Sequence, residues 1–237
     1  MKATYLLVDF FTVIIPIVFS FHPKLNFYRQ WRVFFISNLM ASAILIAWDI
    51  YFTEIGVWGF NEKYVTGIHV FNLPLEEILF FICIPFACVF TYHCLNLFFK
   101  IELRQRVSGI IIFLLILFLL SGAIYYHDRM YTLVTFSTLA LLLLFIQFVL
   151  KSRWLLTLLA IYPLLLIPFF IVNGILTGTG LQEPVVWYNN SENAGVRLLT
   201  IPAEDIFYGL EMILLNVFFY ELLQAKTVRA VNSNWRR

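Results

Sequence analysis

Charged residues are scarce in this chain, and that scarcity restricts the classes of protein it can belong to. Of its 237 residues, 13% are Asp, Glu, Lys or Arg, whereas 62% are apolar. Soluble domains carry about 25% charged residues, so the composition excludes an ordinary soluble domain. The formal net charge of +2 is too small to indicate a nucleic-acid partner.

Cysteine is also rare, and its placement argues against disulfide or metal chemistry. Cys83, Cys88 and Cys94 all lie inside one apolar run and none lies in a loop. Free cysteine behaves as a small buried hydrophobe in such surroundings. No Cys/His spacing of the zinc type occurs, so we predict no metal site.

Several cofactor signatures are missing as well. There is no Walker glycine loop and no GxGxxG turn, so no nucleotide cofactor is expected. The last apolar run has no lysine, which excludes a retinal Schiff base there. No DxxxD-type aspartate pair for Mg-diphosphate is present, which argues against an intramembrane prenyltransferase.

Long apolar runs dominate what remains. A transmembrane helix needs about 20 apolar residues, and seven runs approach or exceed that length. We predict an all-α polytopic bundle of seven spans, at residues 3–21, 32–53, 74–99, 107–125, 131–150, 154–176 and 202–224.

The cations are distributed unevenly between the loops. With the N-terminus outside, 12 Lys and Arg residues fall on the cytoplasmic side: Lys24, Arg29, Arg32, Lys100, Arg104, Arg106, Lys151, Arg153, Lys226, Arg229, Arg236 and Arg237. Four fall outside: Lys2, Lys63, Arg129 and Arg197. Cytoplasmic loops carry the excess of positive charge, so we predict a multi-pass cell-membrane protein with an extracytoplasmic N-terminus and a cytoplasmic C-terminus.

The sequence contains an internal duplication at an offset of 128 residues. Five identities occur within residues 61–80: Asn61/Asn189, Gly67/Gly195, Pro74/Pro202, Glu76/Glu204 and Ile78/Ile206. The same offset lays spans 1–3 on spans 5–7 and leaves span 4 as a linker. One added helix makes three-helix repeats parallel, related by an axis along the membrane normal.

This arrangement predicts four regions. Repeat 1 covers residues 1–100, a linking helix covers 101–128, repeat 2 covers 129–225, and a basic cytoplasmic tail covers 226–237. Spans 3 and 7 both start at the outer face, so their first turns should meet there. The long outer loops, residues 54–73 and 174–201, are expected to fold over the bundle.

Four carboxylic acids occupy those first turns. The motifs Pro74–Glu77 and Pro202–Asp205 each place two adjacent acids, Glu76 and Glu77 or Glu204 and Asp205, after a proline. Helix capping explains one acid per helix, because a carboxylate near a helix N-terminus interacts favourably with the dipole. Two acids exceed that need, and ionisable groups at membrane depth are usually functional. Asn72 and Thr200, two residues before the prolines, are both cap formers, and the sequence leaves the exact cap position open.

Other side chains are candidates for substrate binding. They share a position near the outer ends of the spans or a repeated place in the outer loops: Phe80, Tyr208, Glu211, Asp49, Asn61 and Asn189. The aromatics can form an interfacial belt or a wall that stabilises a carbocation. Glu211 lies roughly 10 Å deeper than Glu204 at 1.5 Å per residue; it is either a deeper proton carrier or the partner of a polar group.

The paired Pro-Leu-Glu-Glu and Pro-Ala-Glu-Asp helices in a duplicated membrane unit resemble the membrane lycopene cyclases. These occur as two half-size subunits in actinobacteria and as fused proteins in archaea, fungi and some other bacteria. The resemblance covers nearly the whole chain as a fused form. The second motif ends in Asp205, where Glu also occurs in the family.

The resemblance implies a lycopene β-cyclase, an isomerase of the intramolecular lyase type in carotenoid biosynthesis. Lycopene or a related carotenoid would enter from the membrane lipid. An acid protonates a terminal alkene, a neighbouring double bond attacks the cation, and a base removes a proton, with no flavin or other cofactor. The motif acids of the family fall on Glu76, Glu77, Glu204 and Asp205, and we expect Glu76 or Glu204 to deliver the proton.

One alternative uses the same carboxylates without catalysis. The chain could be a proton-coupled carrier or transporter of an apolar substrate. Transporters usually place broken helices and polar groups at mid-membrane, whereas the acids here cluster at one face apart from Glu211. Pigment change in a lycopene-making host distinguishes the two readings.

Overall fold

A computed structural model describes residues 2–98 and 105–234, and this part of the chain is mainly helical. Lys100, Arg104, Arg236 and Arg237, four of the predicted cytoplasmic cations, lie outside the described residues, as does the predicted boundary between repeat 1 and the linking helix. Seven α-helices occur in the described part: α1 Thr4–Ser20, α2 Trp31–Glu54, α3 Leu75–Phe98, α4 Gln105–Tyr125, α5 Met130–Leu144, α6 Trp154–Leu176 and α7 Glu204–Asn234. A 3₁₀ turn at Phe27–Gln30 precedes α2, and α5 ends in a π-helical segment, Phe145–Val149.

The helices fall where the apolar runs predicted them. Five helical segments are long and apolar enough to cross a membrane: Phe27–Glu54, Leu75–Phe98, Met130–Val149, Trp154–Leu176 and Glu204–Ala225. Thr4–Ser20 and Gly109–Tyr125 are apolar but shorter. The observed helices differ most from the predicted spans at the C-terminus. There α7 continues as helix to Asn234, through most of the region predicted as a tail.

Six short strands lie in the two long loops, at one end of the bundle that we call the loop end. They are β1 Trp58–Phe60, β2 His69–Val70, β3 Leu73–Pro74, β4 Val186–Tyr188, β5 Arg197–Leu198 and β6 Ile201–Pro202. Strands β2 and β3 form one hairpin, and β5 and β6 form another. Strands β1 and β4 pair with each other in an antiparallel manner and so join the two loops.

The pairing of β1 with β4 is self-complementary. Gly59 lies opposite Trp187, its own equivalent at the offset of 128. The Asn61 N–H donates to the Val185 carbonyl at 2.9 Å, and the Asn189 N–H donates to the Val57 carbonyl at 2.8 Å. We call β1, β4 and these two hydrogen bonds the strand bridge. Its two halves exchange the same contacts, as in an isologous interface.

The two hairpins share one backbone at the same offset. Their turns place a non-glycine residue in the left-handed region, Phe71 at φ 58° and Leu199 at φ 60°. Gly67 and Gly195 precede the hairpins with φ values of 86° and 74°. Positions with positive φ favour glycine, which gives a physical reason for this identity between the repeats.

The first helices of the repeats correspond at a different offset. The Tyr5 N–H donates to the Tyr64 carbonyl, and the Tyr131 N–H donates to the Glu192 carbonyl. Tyr64 and Glu192 are 128 residues apart, but Tyr5 and Tyr131 are 126 apart. The single offset of 128 for all three helices therefore needs correction for α1 and α5.

The second helices correspond at a third offset, 124. The Phe52 carbonyl accepts from the Val57 N–H, and the Leu176 carbonyl accepts from the Val185 N–H, each at 2.9 Å. The connection that follows α6 is thus four residues longer than the one that follows α2. This difference in loop length explains why an ungapped alignment matches the hairpins and misaligns the helices before them.

Helix packing follows the repeats. Helix α3 packs along α1, α7 packs along α5, and α2 packs along α7, while α4 lies against α5. Two groups of buried apolar side chains result. One lies at the loop end and includes Tyr5, Trp58 and Tyr131, and the other lies toward the opposite end and includes Phe27 and Phe86. Because the loops are tied to the first group, the loop end is closed over by protein.

Candidate active site

The first acid of each motif holds its own loop. The Glu76 carboxylate accepts the Thr66 backbone N–H at 2.7 Å, and the Glu204 carboxylate accepts the Ala194 N–H at 2.6 Å. The Glu204 carboxylate also accepts the Thr132 hydroxyl at 2.5 Å. Both acids are about 1% exposed. Their contacts are those of a clamp between a helix start and the loop ten residues before it.

The two cap formers before the prolines have a different role. The Asn72 side chain donates to the Ile50 carbonyl at 2.9 Å, and the Thr200 hydroxyl lies 2.7 Å from the hydroxyls of Thr177 and Thr179. Among the described contacts, neither of these two cap formers caps α3 or α7. Both lie in the tight turns of the hairpins, where their side chains point back to α2 and to the end of α6.

The second acid of each motif faces a different environment. The Tyr5 hydroxyl donates to Glu77 at 2.5 Å, and the Tyr131 hydroxyl donates to Asp205 at 2.6 Å. Tyr5 and Tyr131 start α1 and α5, so the third helix of each repeat is joined to the first by an equivalent phenol–carboxyl pair. A turn of about 100° separates consecutive helical residues, which explains why adjacent acids point to different places.

Asp205 has two further donors. The Tyr188 hydroxyl donates to it at 3.0 Å, and the Asn173 side-chain amide donates at 3.4 Å. Tyr188 lies in β4. The pKa of its phenol is raised well above the usual value, mainly by burial and in addition by the neighbouring Asp205 carboxylate. Tyr188 therefore stays protonated and remains a donor over the physiological pH range.

A cavity lies between the repeats and is lined by both second acids; we call it the polar cavity because carboxyl and hydroxyl groups line it. Asp49 lines it from α2 and accepts a hydrogen bond from the Trp58 indole. The walls come from α1, α2, α3, α5, α6, α7 and both long loops. The lining residues are Tyr5, Asp49, Trp58, Phe60, Glu77, Phe80, Tyr131, Asn173, Leu176, Thr177, Val186, Tyr188, Asp205 and Tyr208.

A second cavity has an almost entirely apolar lining, and we call it the apolar groove. It is lined by one residue of α1 and by α3, α6 and α7. The lining residues are Thr12, Phe80, Ile84, Ala87, Cys88, Thr91, Tyr162, Leu165, Pro168, Phe169, Val172, Asn173, Asp205, Tyr208, Gly209, Met212 and Ile213. Four of them also line the polar cavity, so the two cavities meet at Phe80, Asn173, Asp205 and Tyr208.

Aromatic rings surround the junction. The Tyr208 ring packs edge-on against Trp48, with centroids 5.3 Å apart, and lies 6.3 Å from both Trp58 and Tyr131. Phe80 packs against Tyr5 at 6.2 Å. The structure thus brings the predicted residues Phe80, Tyr208 and Asp49 to the same cavity as Glu77 and Asp205.

Three predicted substrate-binding residues line neither of these cavities. Glu211 is buried against α5 and accepts the Thr138 hydroxyl at 3.0 Å. Asn61 accepts the Lys63 N–H and Asn189 accepts the Ser191 N–H, each at 3.1 Å. The asparagine side chains shape equivalent loop turns beside the strand bridge.

Two central residues, Tyr5 and Tyr131, were not anticipated. Each starts a polar stripe with the spacing i, i+4, i+7 along an otherwise apolar helix: Tyr5, Asp9 and Thr12 in α1, and Tyr131, Thr135 and Thr138 in α5. A stripe of this period marks one helix face. Its double occurrence at an offset of 126 is the signal that could have identified the phenols.

The arrangement suits proton transfer to and from an apolar molecule. Three carboxyl groups, those of Asp49, Glu77 and Asp205, reach one cavity from both repeats. Aromatic rings surround this cavity, and an apolar groove leads into it. Among the described residues, no group of three or more His, Cys, Asp and Glu side chains is placed to hold a metal ion. Positioned carboxyl groups act as general acids and bases.

Comparison with known proteins gives one positive result. A family model described as lycopene cyclase matches residues 2–95 and 128–223, which is well over half of the chain. The gap between the two matched regions contains α4, and each region contains one pair of motif acids. Searches of curated proteins and of solved structures returned no match. The family match shows that the chain belongs to the lycopene cyclase family.

Proposed function

We propose that the protein is a lycopene β-cyclase that closes the acyclic ends of lycopene into β-rings without redox change. Family membership supports carotenoid cyclisation in general. The observation that carries the finer assignment is the meeting of Glu77 and Asp205 in one cavity at the end of an apolar groove. A hydrocarbon end group that passed this junction would lie beside Asp205 and would enter the cavity that Glu77 lines.

In this proposal Glu77 is the general acid and Asp205 the general base. Asp205 accepts hydrogen bonds from Tyr131, Tyr188 and Asn173, which suits a carboxylate. Among the described contacts, Glu77 accepts one hydrogen bond, from Tyr5, which leaves the group free to hold a proton that faces the cavity. Carboxyl groups in unlike surroundings commonly divide acid and base work in this way.

The reaction balances without an added reagent. Glu77 gives a proton to the terminal alkene, and the next double bond attacks the cation to form the ring C–C bond. Asp205 then takes a proton from the ring, which leaves an alkene in the product. One proton enters the substrate and one leaves it, and its return from Asp205 to Glu77 across their shared cavity restores the starting state.

The surroundings protect the cation. The rings of Phe80 and Tyr208 lie at the junction of the cavities, and aromatic faces attract positive charge. The strand bridge covers the loop end, which limits access of water to the cation. A cation quenched by water would give an alcohol, whereas a cation kept dry loses a proton and yields the ring alkene.

The proposal includes the membrane arrangement. All seven helices cross the cell membrane, the two repeats are parallel, and the loop end with the N-terminus faces outward, in line with the distribution of Lys and Arg. Lycopene or a related carotenoid enters from the bilayer. The self-complementary strand bridge supports an axis along the membrane normal, since Gly59 meets its own equivalent, Trp187.

Expression in a lycopene-accumulating bacterium tests the function. We expect wild type to convert lycopene to γ- or β-carotene, separated by chromatography, and Asp205→Asn and Glu77→Gln to leave lycopene unconverted at equal protein level. Glu62→Gln is the matched control, because Glu62 is an exposed outer-loop acid, 69% exposed and paired with His69. It should convert lycopene like wild type.

Other outcomes reassign the protein. Unchanged lycopene with folded wild-type protein contradicts cyclisation of this substrate and favours the proton-coupled carrier. Full conversion by both cavity-acid variants contradicts the assignment of Glu77 and Asp205. Loss of conversion in the Glu62→Gln control as well means that the loop, and not the cavity, was perturbed.

A further inference from the structure

The bundle has two faces that are equivalent by the repeat offsets but differ in packing. The open face contains the apolar groove, where α6 lies beside α3 and α7. The closed face is its counterpart, where α2 lies beside α7 and α3. The offsets of 128 for α3 and α7 and 124 for α2 and α6 give each groove residue of α3, α6 and α7 an equivalent on the closed face.

Polar contacts seal the closed face. The Asn38 side-chain amide on α2 donates to the Phe81 carbonyl at 2.8 Å and to the Asn216 side chain on α7 at 3.0 Å. Ser42 also donates to the Phe81 carbonyl, at 2.9 Å. Phe81, Asn38 and Asn216 are 1%, 3% and 0% exposed, so this face is packed around Phe81.

The equivalents of these residues line the groove on the open face. Tyr162 is the counterpart of Asn38, and Cys88 is the counterpart of Asn216. On the closed face, the Asn38–Asn216 hydrogen bond joins α2 to α7. On the open face, the Tyr162 hydroxyl donates instead to the Ile206 carbonyl of α7. Among the described contacts at this position, no hydrogen bond joins α6 to α3. Pro163, inside α6, lies next to this position.

Gly209 is the counterpart of Phe81 and makes the largest difference in volume. A Cβ atom at Gly209 would lie 3.2 Å from the Phe169 ring and 3.3 Å from the Tyr162 hydroxyl, both of which line the groove. A ring at this position would therefore fill the groove, as the Phe81 ring fills the closed face. The absence of a side chain at Gly209 keeps the groove open beside Asp205 and Tyr208.

The groove is long as well as apolar. It follows α3 from Phe80 to Thr91, which is roughly 16 Å at 1.5 Å per residue. Its residues Ala87, Thr91 and Pro168 are partly or fully exposed, so the groove opens to the outside of the bundle along its length. One end joins the polar cavity at Asp205.

We infer that the apolar groove binds the linear hydrocarbon chain of the substrate, and that Gly209 determines this binding. The inference rests on the proposed function for the identity of the polyene and deepens it. Because the equivalent face is closed, each molecule has one reaction site and cyclises one end of a polyene per binding event. A substrate with two acyclic ends must leave and re-enter in the opposite direction to gain a second ring.

Pigment retention tests the groove independently of turnover. The Glu77→Gln/Asp205→Asn background, purified from lycopene-accumulating cells, should retain lycopene, measured by its absorbance per protein. Adding Gly209→Phe should lower retention at least tenfold. The control is Leu39→Phe on α2, where the side chain is 71% exposed; it should retain lycopene like the background.

A second variant keeps the test valid if Gly209→Phe does not fold. Ala87→Trp fills the groove from α3 at a partly exposed position, and size-exclusion chromatography reports folding of each variant. Retention at the background level by a folded groove-filling variant overturns the inference. Retention that is blocked by these variants, in a protein whose wild type does not cyclise, supports the groove and contradicts the proposed function.

The order of products tests the single site. Wild type supplied with excess lycopene should release a one-ring carotenoid before any two-ring product forms, and an added isotope-labelled one-ring carotenoid should enter the two-ring pool. A two-ring product that excludes the label would show that both ends react in one binding event. That result overturns the single-site inference.

Discussion

Repeat 1 and repeat 2 are alike at the loop end and unlike deeper in the bundle. At the loop end, each has the same hairpin, the same clamp by its first acid, and a phenol on its second acid. Deeper in the bundle, the equivalent of Phe81 in repeat 2 is Gly209, and the equivalent of Cys88 is Asn216. The shared part holds the two halves together, while the divergent part opens one face and closes the other.

The largest expected effects separate the first acids from the second. We expect Glu77→Gln and Asp205→Asn to lower turnover by about 10²–10⁴-fold, the usual contribution of a general acid or base. Their unfolding temperatures in detergent should match wild type. Glu76→Ala and Glu204→Ala should instead lower the unfolding temperature, because each removes the hydrogen bond that the acid accepts from its loop N–H, a contribution of about 0.5–1.5 kcal/mol.

Thermal unfolding and pigment chromatography on the same preparations check this prediction. Activity is expressed per folded molecule after size exclusion, so that unstable variants are compared fairly. If Glu76→Ala and Glu204→Ala stayed stable but inactive, the first acids would be the reacting groups.

The next effects compare the phenols. Tyr5→Phe removes the described donor of Glu77, whereas Tyr131→Phe leaves Asp205 with Tyr188 and Asn173. The Tyr5 hydroxyl would stabilise the negative charge that develops on Glu77 as it gives up its proton. A hydrogen bond to a charged group contributes about 1.5–3 kcal/mol, so Tyr5→Phe should slow turnover roughly tenfold or more and Tyr131→Phe less. The double variant Tyr131→Phe/Tyr188→Phe should approach the effect of Tyr5→Phe. Equal effects of the two single variants would argue against the redundancy at Asp205.

A smaller effect compares the two faces. Asn38→Ala removes both bonds that the Asn38 amide donates across the closed face. Hydrogen bonds between membrane helices average about 0.6 kcal/mol, with a maximum near 1.7, so we expect a loss of about 1–2 kcal/mol. Tyr162→Phe on the open face removes one such bond and should cost about half as much. Unfolding in micelles measures both, and a larger loss for Tyr162→Phe would contradict the assignment of the closed face.

The last comparison, between the two hairpins, has an expected effect on stability of similar size. Gly67→Ala and Gly195→Ala place a Cβ where nothing lies within 4 Å, so backbone strain alone decides the cost. A left-handed conformation costs an L-residue about 1–2 kcal/mol. We expect equal and additive losses of stability at the two sites, measured by unfolding of the single and double variants. Unequal losses would mean that the two hairpins contribute differently to the stability of the protein.

The sequence was sufficient to predict the helices and the meeting of the motif acids. Apolar runs of membrane length predict the helices. The sequence of residues 61–80 is repeated at an offset of 128, and the backbones of the two hairpins repeat at the same offset. The position of Glu77 and Asp205 in one cavity agrees with the expected meeting of spans 3 and 7. Which of the four acids take part in the reaction stays a prediction.

Three features were beyond a linear reading of the sequence. The strand bridge joins three-residue segments 128 residues apart, and such short segments have no periodicity of their own. The direction in which Glu76 and Glu77 point depends on the rotation of α3, which packing against α1 sets. The changes of offset between helices arise from loop lengths, which an alignment without gaps cannot represent.

The strand bridge also has a consequence for how the protein folds. Its partners, β1 and β4, are separated by most of two helical units, so their pairing is a contact of very high sequence separation, and such contacts form late. The cavity that holds Glu77 and Asp205 cannot be complete until the ribosome has made the second long loop and α7. We therefore expect a chain truncated after α6 to insert its helices and yet to lack half of the acid pair and the cover above it.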